Sequence, residues 1–303
     1  METETSLAAL PVDCLSNILS LTTPKQACSL SLVASFFRSA ATSGAVWERF
    51  LPPDHLEIIS QSPNTAGFLT SLSKRDLYFR LCDFPVLVDG DTKSFSLEKK
   101  SGKKCYMIAA RALNIVWMDT PGYWQWISLP QSRFPEVAEL LDVCWLEICG
   151  KINITLLSPN TNYAAYLVFV LQPRSYGFHH KLVDASIDII GGYYGQVEKQ
   201  TVYLSTQVER EAHPLVAPRE FIRVPTQRVR QENMNAVAGE EKAARLPKKR
   251  SDEWMEVELG EFFVTDGEDR GDICVSLREV RGHWKRGLII EGIEIRPKEE
   301  TDK

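Results

Sequence analysis

The first 52 residues combine short apolar stripes with helix-start and helix-stop signals. Pro11 stands where proline is tolerated at a helix start, and Leu15, Ile18 and Leu19 follow it at helical spacing. Pro52 stops the last apolar turn of this region. The pattern predicts three or four short helices. A core built from about 50 residues is marginal, so completion by a partner protein fits this region.

Beyond residue 104 the pattern changes to short alternating runs with glycine, proline and asparagine between them, which is typical of strands. We predict strands at 106–110, 114–117, 143–154, 163–170, 184–190, 201–204, 220–224, 253–258, 272–281 and 288–295. A helical turn is expected at 135–141, and the polar, aperiodic stretch 228–250 predicts a long loop. Many short strands of this kind favour an antiparallel β-sandwich, jelly-roll-like in organisation.

The two regions are joined by residues 53–103, where Leu77 and Leu81 share one face of a short predicted helix and two short strands follow. The fold class is therefore α+β and multidomain. We predict a helical domain at 1–52, a connector at 53–103 that packs on the next domain, a sandwich at 104–297 and a tail at 298–303.

Composition and charge exclude several classes of protein. A net charge of −5 argues against a general nucleic-acid binder, and the sequence has no run of about 18 apolar residues that predicts a membrane span. The first residues lack a secretory signal pattern. The seven cysteines are odd in number and mostly lie beside apolar residues, which favours free thiols in a reducing compartment. We expect a cytoplasmic or nuclear location; the basic run 247–250 fits either an import signal or a solvated loop.

Motifs for catalysis and cofactors are missing from the sequence. The histidines and cysteines have no metal-ligand spacing, and neither a nucleophile elbow nor a phosphate-binding glycine loop is present. We therefore expect a protein that is not an enzyme and needs neither a metal nor another cofactor.

Aromatic residues concentrate in one stretch. Residues 104–154 hold four of the seven tryptophans: Trp117, Trp124, Trp126 and Trp145. Such a cluster is either a core or an aromatic platform for a ligand. Sugars present C–H faces as well as hydroxyls, so a sugar site needs an aromatic plane together with a few aimed polar groups.

This stretch, with LGEFF at 259–263 and GLIIEGIEIRP at 287–297, resembles the phloem-lectin family typified by the tobacco agglutinin. The resemblance implies a β-sandwich lectin that binds N-acetylglucosamine oligomers and N-glycan cores. Matched residue by residue, the family's sugar contacts fall on Trp117, Trp124, Glu261 and Glu268. The resemblance implies that both indole rings are open to solvent beside the two acids, whose carboxylates would accept hydrogen bonds from sugar hydroxyls.

Other interpretations of these residues stay open. Core filling remains a rival role for the two candidate tryptophans, and we assign Trp126 and Trp145 to the core. The two acids also fit ordinary turn positions near strand ends. Paired carboxylates occur in glycoside hydrolases as well, but nothing else in the chain supplies a catalytic frame.

The N-terminal helices carry a second resemblance. The runs LPVDCL, ILS, FRSAA and VWERFLP, at 10–15, 18–20, 37–41 and 46–52, resemble an F-box of the subtype that plants attach to phloem-lectin domains. F-boxes dock on the Skp adaptor of cullin-RING ubiquitin ligases. The residues that this resemblance assigns to adaptor binding are Leu10, Pro11, Leu15, Ile18, Leu19 and Trp47. The alternative is that several of them only fill a private three-helix core.

Together the two resemblances imply an F-box/lectin adaptor. Its helices would recruit the Skp adaptor, and its sandwich would capture a glycan or a glycoprotein client for ubiquitination by other subunits. One rival is a carbohydrate-binding or structural phloem protein without a ligase role. Another is a sandwich that binds protein clients without sugar.

Overall fold

The structure is a computed structural model that describes residues 7, 10–191, 198–205, 244–266 and 271–298. The predicted strand 220–224, most of the predicted loop 228–250, Glu268 and the tail after residue 298 lie outside the described residues.

The described N-terminal part of the chain is helical. Its α-helices are α1 Val12–Ser20, α2 Pro24–Val33, α3 Ser35–Ala41, α4 Gly44–Phe50, α5 His55–Ser60, α6 Ala66–Ser71 and α7 Lys74–Asp83. The first four and α7 match predicted helices, whereas α5 and α6 lie in the first part of the connector, for which we predicted no helix. Across the described ranges no helix has the length and apolar character that a membrane crossing requires.

Local signals explain where α2 begins. The Thr23 hydroxyl accepts a hydrogen bond from the Gln26 amide at 3.2 Å, and the Gln26 side chain accepts one from the Thr23 amide at 3.0 Å. Pro24 occupies the first helical turn. This reciprocal capping box satisfies two amides that a helix start leaves without partners.

The helical region is centred on Trp47, whose ring is only 1% exposed. Its indole N–H donates to the Ala41 carbonyl at 2.7 Å. Its ring packs against Phe50, Tyr78 and Phe79, with ring centroids 5.0 to 5.6 Å away. Because Tyr78 and Phe79 belong to α7, the helical core extends beyond residue 52 into the connector.

The rest of the described chain forms two antiparallel sheets. The first sheet contains β1 Val86–Val88, β2 Lys93–Leu97, β3 Lys104–Ala109, β5 Trp124–Ile127, β6 Val137–Leu140, β8 Thr161–Tyr176, β11 Lys248–Lys249, β12 Met255–Val264 and β14 Arg286–Pro297. The second contains β4 Asn114–Ile115, β7 Leu146–Asn153, β9 Val183–Ile190, β10 Glu198–Val202 and β13 Asp272–Glu279.

The two sheets face each other across a shared apolar core, as in a sandwich. Gly150 of β7 shows how close they come, because a Cβ on it would lie 3.1 Å from Ile293 of β14 and 3.3 Å from Ile108 of β3. Strands β1 and β2 of the connector add to the first sheet through β3. The α+β prediction with an antiparallel sandwich is confirmed. The domain boundaries at 52, 103 and 297 stay a prediction.

The predicted helical turn at 135–141 is wrong. Val137, Ala138 and Leu140 are buried, and the segment pairs with β14 along one edge and β5 along the other. Two neighbouring strands supply partners for its backbone groups, which a single helical turn could not satisfy. The short strand β5 was also missed.

Candidate functional site

Trp117 lies in the loop between β4 and β5 with its side chain 53% exposed. Its backbone is in the left-handed region, at φ 65°, where a bulky side chain is rarely found. The turn is closed by a hydrogen bond from the Thr120 amide to the Trp117 carbonyl at 3.0 Å. Its indole meets the Tyr123 ring edge-on, with centroids 6.3 Å apart. Strain of this kind at an exposed aromatic residue is a feature of ligand-binding sites.

Trp124, the first residue of β5, is placed differently. It is only 5% exposed, so the expectation of an open ring is wrong at this position. Its indole Nε1 is buried and has no hydrogen-bond partner among the described residues. Trp124 therefore lies beneath the surface, and the exposed aromatic groups of this loop are Trp117 and the half-buried Tyr123.

Glu261 lies on β12, half-buried within a group of basic residues. It forms ion pairs with Lys298 and, at 3.7 Å, with Arg245, and the Asn162 amide donates to it at 3.4 Å. Desolvation acts in the opposite direction, but the hydrogen bond and charge of Lys298 lower the pKa of Glu261 below its usual range. The carboxylate is therefore ionised and engaged with protein cations.

Strand pairing separates Glu261 from the tryptophans. Glu261 is opposite Ala164 of β8. Trp124 is opposite Leu140 of β6. Strand β6 pairs with β14, and β14 pairs with β8, so that Trp124 is level with Leu171 of β8 along the strand direction. The seven residue-to-residue steps from Ala164 to Leu171 span about 23 Å of strand. The described residues thus do not bring Glu261 beside Trp117 and Trp124.

Three loops at one end of the sandwich hold exposed tryptophans that the sequence did not single out as a group. Trp145 is 44% exposed and Trp284 is 52% exposed, and Trp117 lies at the same end. The assignment of Trp145 to the core is therefore wrong. We call loops 116–123, 141–145 and 280–285 the aromatic end. The signal available in the sequence was the position of Trp284 just after Gly282, in a turn between two strands.

Backbone hydrogen bonds hold these loops against one another. The Val116 amide donates to the Glu147 carbonyl at 3.0 Å, which joins the first loop to β7. Val143 and Lys285 exchange two backbone bonds, at 3.0 and 2.8 Å. The Trp145 indole donates to the Glu147 carboxylate at 3.2 Å. The loops of the aromatic end are therefore one connected surface.

A buried ion pair lies beneath this surface. The side chain of Lys285 is fully buried and pairs with the carboxylate of Glu279, which is 2% exposed. The Lys285 ammonium also donates to the carbonyls of Cys144 at 3.1 Å and His283 at 2.6 Å. A buried ammonium is tolerated only when it is paired and hydrogen-bonded. Lys285 therefore joins the second and third loops of the aromatic end.

The residues predicted to bind an adaptor fall into two groups. Leu15 and Leu19 are fully buried, and Trp47 is the centre of the helical core. For these three residues, the structure supports the alternative that the side chain fills the core of the helical region. Leu10 and Ile18, at 39% and 44%, are exposed.

Four exposed residues, two in α1 and one at each of its caps, lie along one face. Pro11, Cys14, Ile18 and Leu21 are all exposed and are spaced three, four and three residues apart, which is the spacing of one helix face. We call these four residues the docking stripe. The opposite face of α1 packs Leu15 and Leu19 into the core, so the stripe has no partner among the described residues.

Comparison with known proteins matches two regions of the chain. The family model for phloem protein 2 matches residues 103–297, and an F-box-like model matches residues 7–52. The chain is 41% identical to F-box protein PP2-B1 of Arabidopsis thaliana, over 95% of this chain and 89% of that protein. It is 40% identical to F-box protein VBF of the same plant, over 95% of this chain and 99% of that protein.

Solved structures align only weakly. TmCBM61 in complex with β-1,4-galactotriose reaches a TM-score of 0.28 at 11% identity, over 61% of this chain and 87% of that chain. A similarity at that level has no bearing on fold or function.

Proposed function

Because this chain belongs to the phloem protein 2 family and carries an F-box-like region, we propose that it is a substrate-recognition adaptor of an SCF-type ubiquitin ligase. Its helices recruit a Skp adaptor, and its sandwich binds N-acetylglucosamine oligomers, N-glycan cores or glycoproteins that carry them. The chain itself performs no ubiquitin transfer.

The docking stripe is the observation that carries the ligase part of the proposal. One face of α1 is buried in the core, whereas Pro11, Cys14, Ile18 and Leu21 are exposed on the other. An apolar helix face of this kind suits packing against the helices of a partner protein. Leu10 extends the apolar surface just before α1. Leu15, Leu19 and Trp47 act indirectly, because they hold α1 in position.

The test is co-purification with a Skp adaptor. Ile18→Asp puts a charge on the docking stripe without touching the core, and we expect it to abolish co-purification. Leu56→Asp is the matched control, because Leu56 on α5 is 52% exposed and lies off the stripe. Retention of the adaptor by Ile18→Asp at the wild-type level would overturn the ligase part.

For sugar binding we propose Trp117 as the platform on which a pyranose ring stacks. Asp119 is exposed in the same loop and Tyr123 lies against the Trp117 ring, so both can line the rim. Trp124 acts from below, as the floor of the loop. Direct sugar contacts from Glu261 and Glu268 remain predictions from the family resemblance. The distance of Glu261 from the loop argues for a separate role in its case.

Calorimetry with chito-oligosaccharides tests this part. Wild type should release heat on binding, and Trp117→Ala should lose most of that affinity while keeping its fold. Glu261→Gln tests whether Glu261 contacts the sugar, as the family resemblance implies. Unchanged affinity in this variant would support a site at Trp117 without Glu261. If wild type gives no heat with any such oligomer, the sugar part of the proposal is overturned.

A further inference from the structure

Two thiols on the second sheet lie unusually close together. The Sγ atoms of Cys149 and Cys274 are 2.8 Å apart. Cys149 belongs to β7 and Cys274 to β13, which are hydrogen-bonded neighbours. Cys149 is opposite Ser276 and Cys274 is opposite Lys151, so the two cysteines form a diagonal pair across the two strands. The backbone therefore holds both thiols in place.

The pair lies on the face of the second sheet that points away from the core. On β7, Ile148 and Ile152 are buried, whereas Lys151, which shares a face with Cys149, is exposed. Cys149 itself is half-buried, and Cys274 is 8% exposed. A small reagent can therefore reach Cys149 from solvent, while Cys274 is shielded behind it.

We propose that Cys149 and Cys274 are a reversible dithiol–disulfide site that low-molecular-weight disulfides oxidise. A disulfide has an S–S distance of about 2.05 Å, so each sulfur needs to move by only a few tenths of an ångström. The site is independent of the adaptor and sugar functions proposed above.

The exchange reaction proceeds in two steps. The Cys149 thiolate attacks one sulfur of glutathione disulfide, which forms a mixed disulfide and releases one glutathione thiolate. The Cys274 thiol loses its proton to solvent, and the resulting thiolate attacks the Cys149 sulfur, which breaks the mixed disulfide and releases the second glutathione thiolate. Two electrons pass from the protein to the small disulfide, and the glutathione thiolates take up the two protons.

The surroundings make exchange with an oxidant slow at neutral pH. Desolvation and the hydrogen bond with Cys274 raise the pKa of Cys149 to about 11. Thiolate, the attacking form, is therefore scarce at neutral pH. The remaining cysteines are elsewhere: Cys14, Cys28 and Cys82 on helices, Cys105 on β3 and Cys144 in the loop before β7.

The experiment is oxidation of the full chain with glutathione disulfide, followed by trypsin digestion without reduction and mass spectrometry. We expect a cross-link between peptides 134–151 and 271–278, which reverses with dithiothreitol. Because peptide 134–151 contains Cys144 as well as Cys149, the same digest of Cys144→Ser assigns the sulfur. The cross-link should persist in that variant.

A second variant tests the order of attack. In Cys274→Ser the mixed disulfide on Cys149 cannot be resolved, so glutathionylated Cys149 should accumulate in place of the cross-link. The oxidised wild type should also unfold at a temperature several degrees higher than the reduced form, because the bond closes a long loop. Failure of wild type to form the cross-link, or its loss in Cys144→Ser, would overturn the proposal.

Discussion

The surface around α1 and α2 and the aromatic end of the sandwich expose different kinds of apolar side chain. Around α1 and α2 the exposed residues are aliphatic: Leu7, Leu10, Val12, Ile18, Leu21, Leu32 and Val33. At the aromatic end they are tryptophans, set beside carboxylates and turn residues. Aliphatic faces gain most from burial against another protein's helices, whereas an exposed indole offers a flat face and a polar N–H together. The difference fits the two kinds of partner proposed above, a protein on the helices and a sugar on the sandwich.

We expect the largest loss of stability from a substitution at the centre of the helical region. Trp47→Ala deletes a buried ring and its hydrogen bond to Ala41, which should cost about 3–5 kcal/mol of unfolding free energy. Urea denaturation followed by circular dichroism measures the loss. Trp284→Ala is the control, since its ring is 52% exposed, and it should change stability by less than about 0.5 kcal/mol. Equal effects of the two changes would contradict the difference in burial.

A change of similar size is expected in the sandwich. Lys285→Ala leaves the Glu279 carboxylate buried without its cation, which should cost about 3–5 kcal/mol. The double variant Lys285→Met/Glu279→Leu removes both charges and should recover much of that stability. A single variant as stable as wild type would show that the pair does not hold the loops.

The stability of the protein at low pH tests a cluster of charged residues in the first sheet. Glu294 accepts hydrogen bonds from Arg250 and Arg296, each at 2.6 Å. Although desolvation of this buried carboxyl acts in the opposite direction, the charges of Arg250, Arg133 and Arg296 lower its pKa to about 2. A folded pKa below the unfolded value stabilises the protein above about pH 4.5. That contribution, roughly 3 kcal/mol, is lost as the pH falls from 4.5 to 2.

The measurement for this cluster is unfolding free energy against pH. Glu294→Gln should flatten the decline between pH 4.5 and 2. Glu291 has the opposite sign, because burial raises its pKa. Protonation of Glu291 therefore stabilises the fold as the pH falls toward 4.5, and Glu291→Gln should remove that gain above pH 4.5. Parallel curves for all three proteins would rule out a linkage through these carboxyls.

The smallest effect concerns ligand affinity rather than stability. Trp117→Ala should weaken chito-oligosaccharide binding at least tenfold, about 1.4 kcal/mol, with an unchanged unfolding midpoint because the ring is exposed. Trp145→Ala is the comparison at the same end, and a smaller loss is expected because its indole N–H is already bonded to Glu147. Identical losses would extend the sugar surface across the aromatic end.

Much of the fold could be predicted from local signals. Prolines and capping residues mark the starts of α1 and α2, and alternation of apolar residues marks most strands of the sandwich. Strand β6 was missed because its four residues follow Pro135, and nothing local shows that two neighbouring strands pair with it. Helices α5 and α6 were missed because the chain around them is rich in proline and serine.

The candidate site was harder to predict than the fold. Trp117 and Trp124 are seven residues apart in one aromatic stretch, yet one is exposed and the other is buried. Trp117 lies in a loop with a left-handed backbone, whereas Trp124 begins a paired strand, and no residue pattern predicts that difference. The position of Glu261 depends on strand register across several long-range pairings, which one sequence does not contain.

One bridging experiment tests whether the two surfaces work in the same molecule. A Skp adaptor is applied to beads that carry an immobilised N-acetylglucosamine oligomer, with and without this chain. Wild type should retain the adaptor on the beads. Ile18→Asp should bind the beads without the adaptor, and Trp117→Ala should no longer bind the beads. Beads that hold wild-type chain but no adaptor, or adaptor retained equally by both variants, would contradict a link between the two partners.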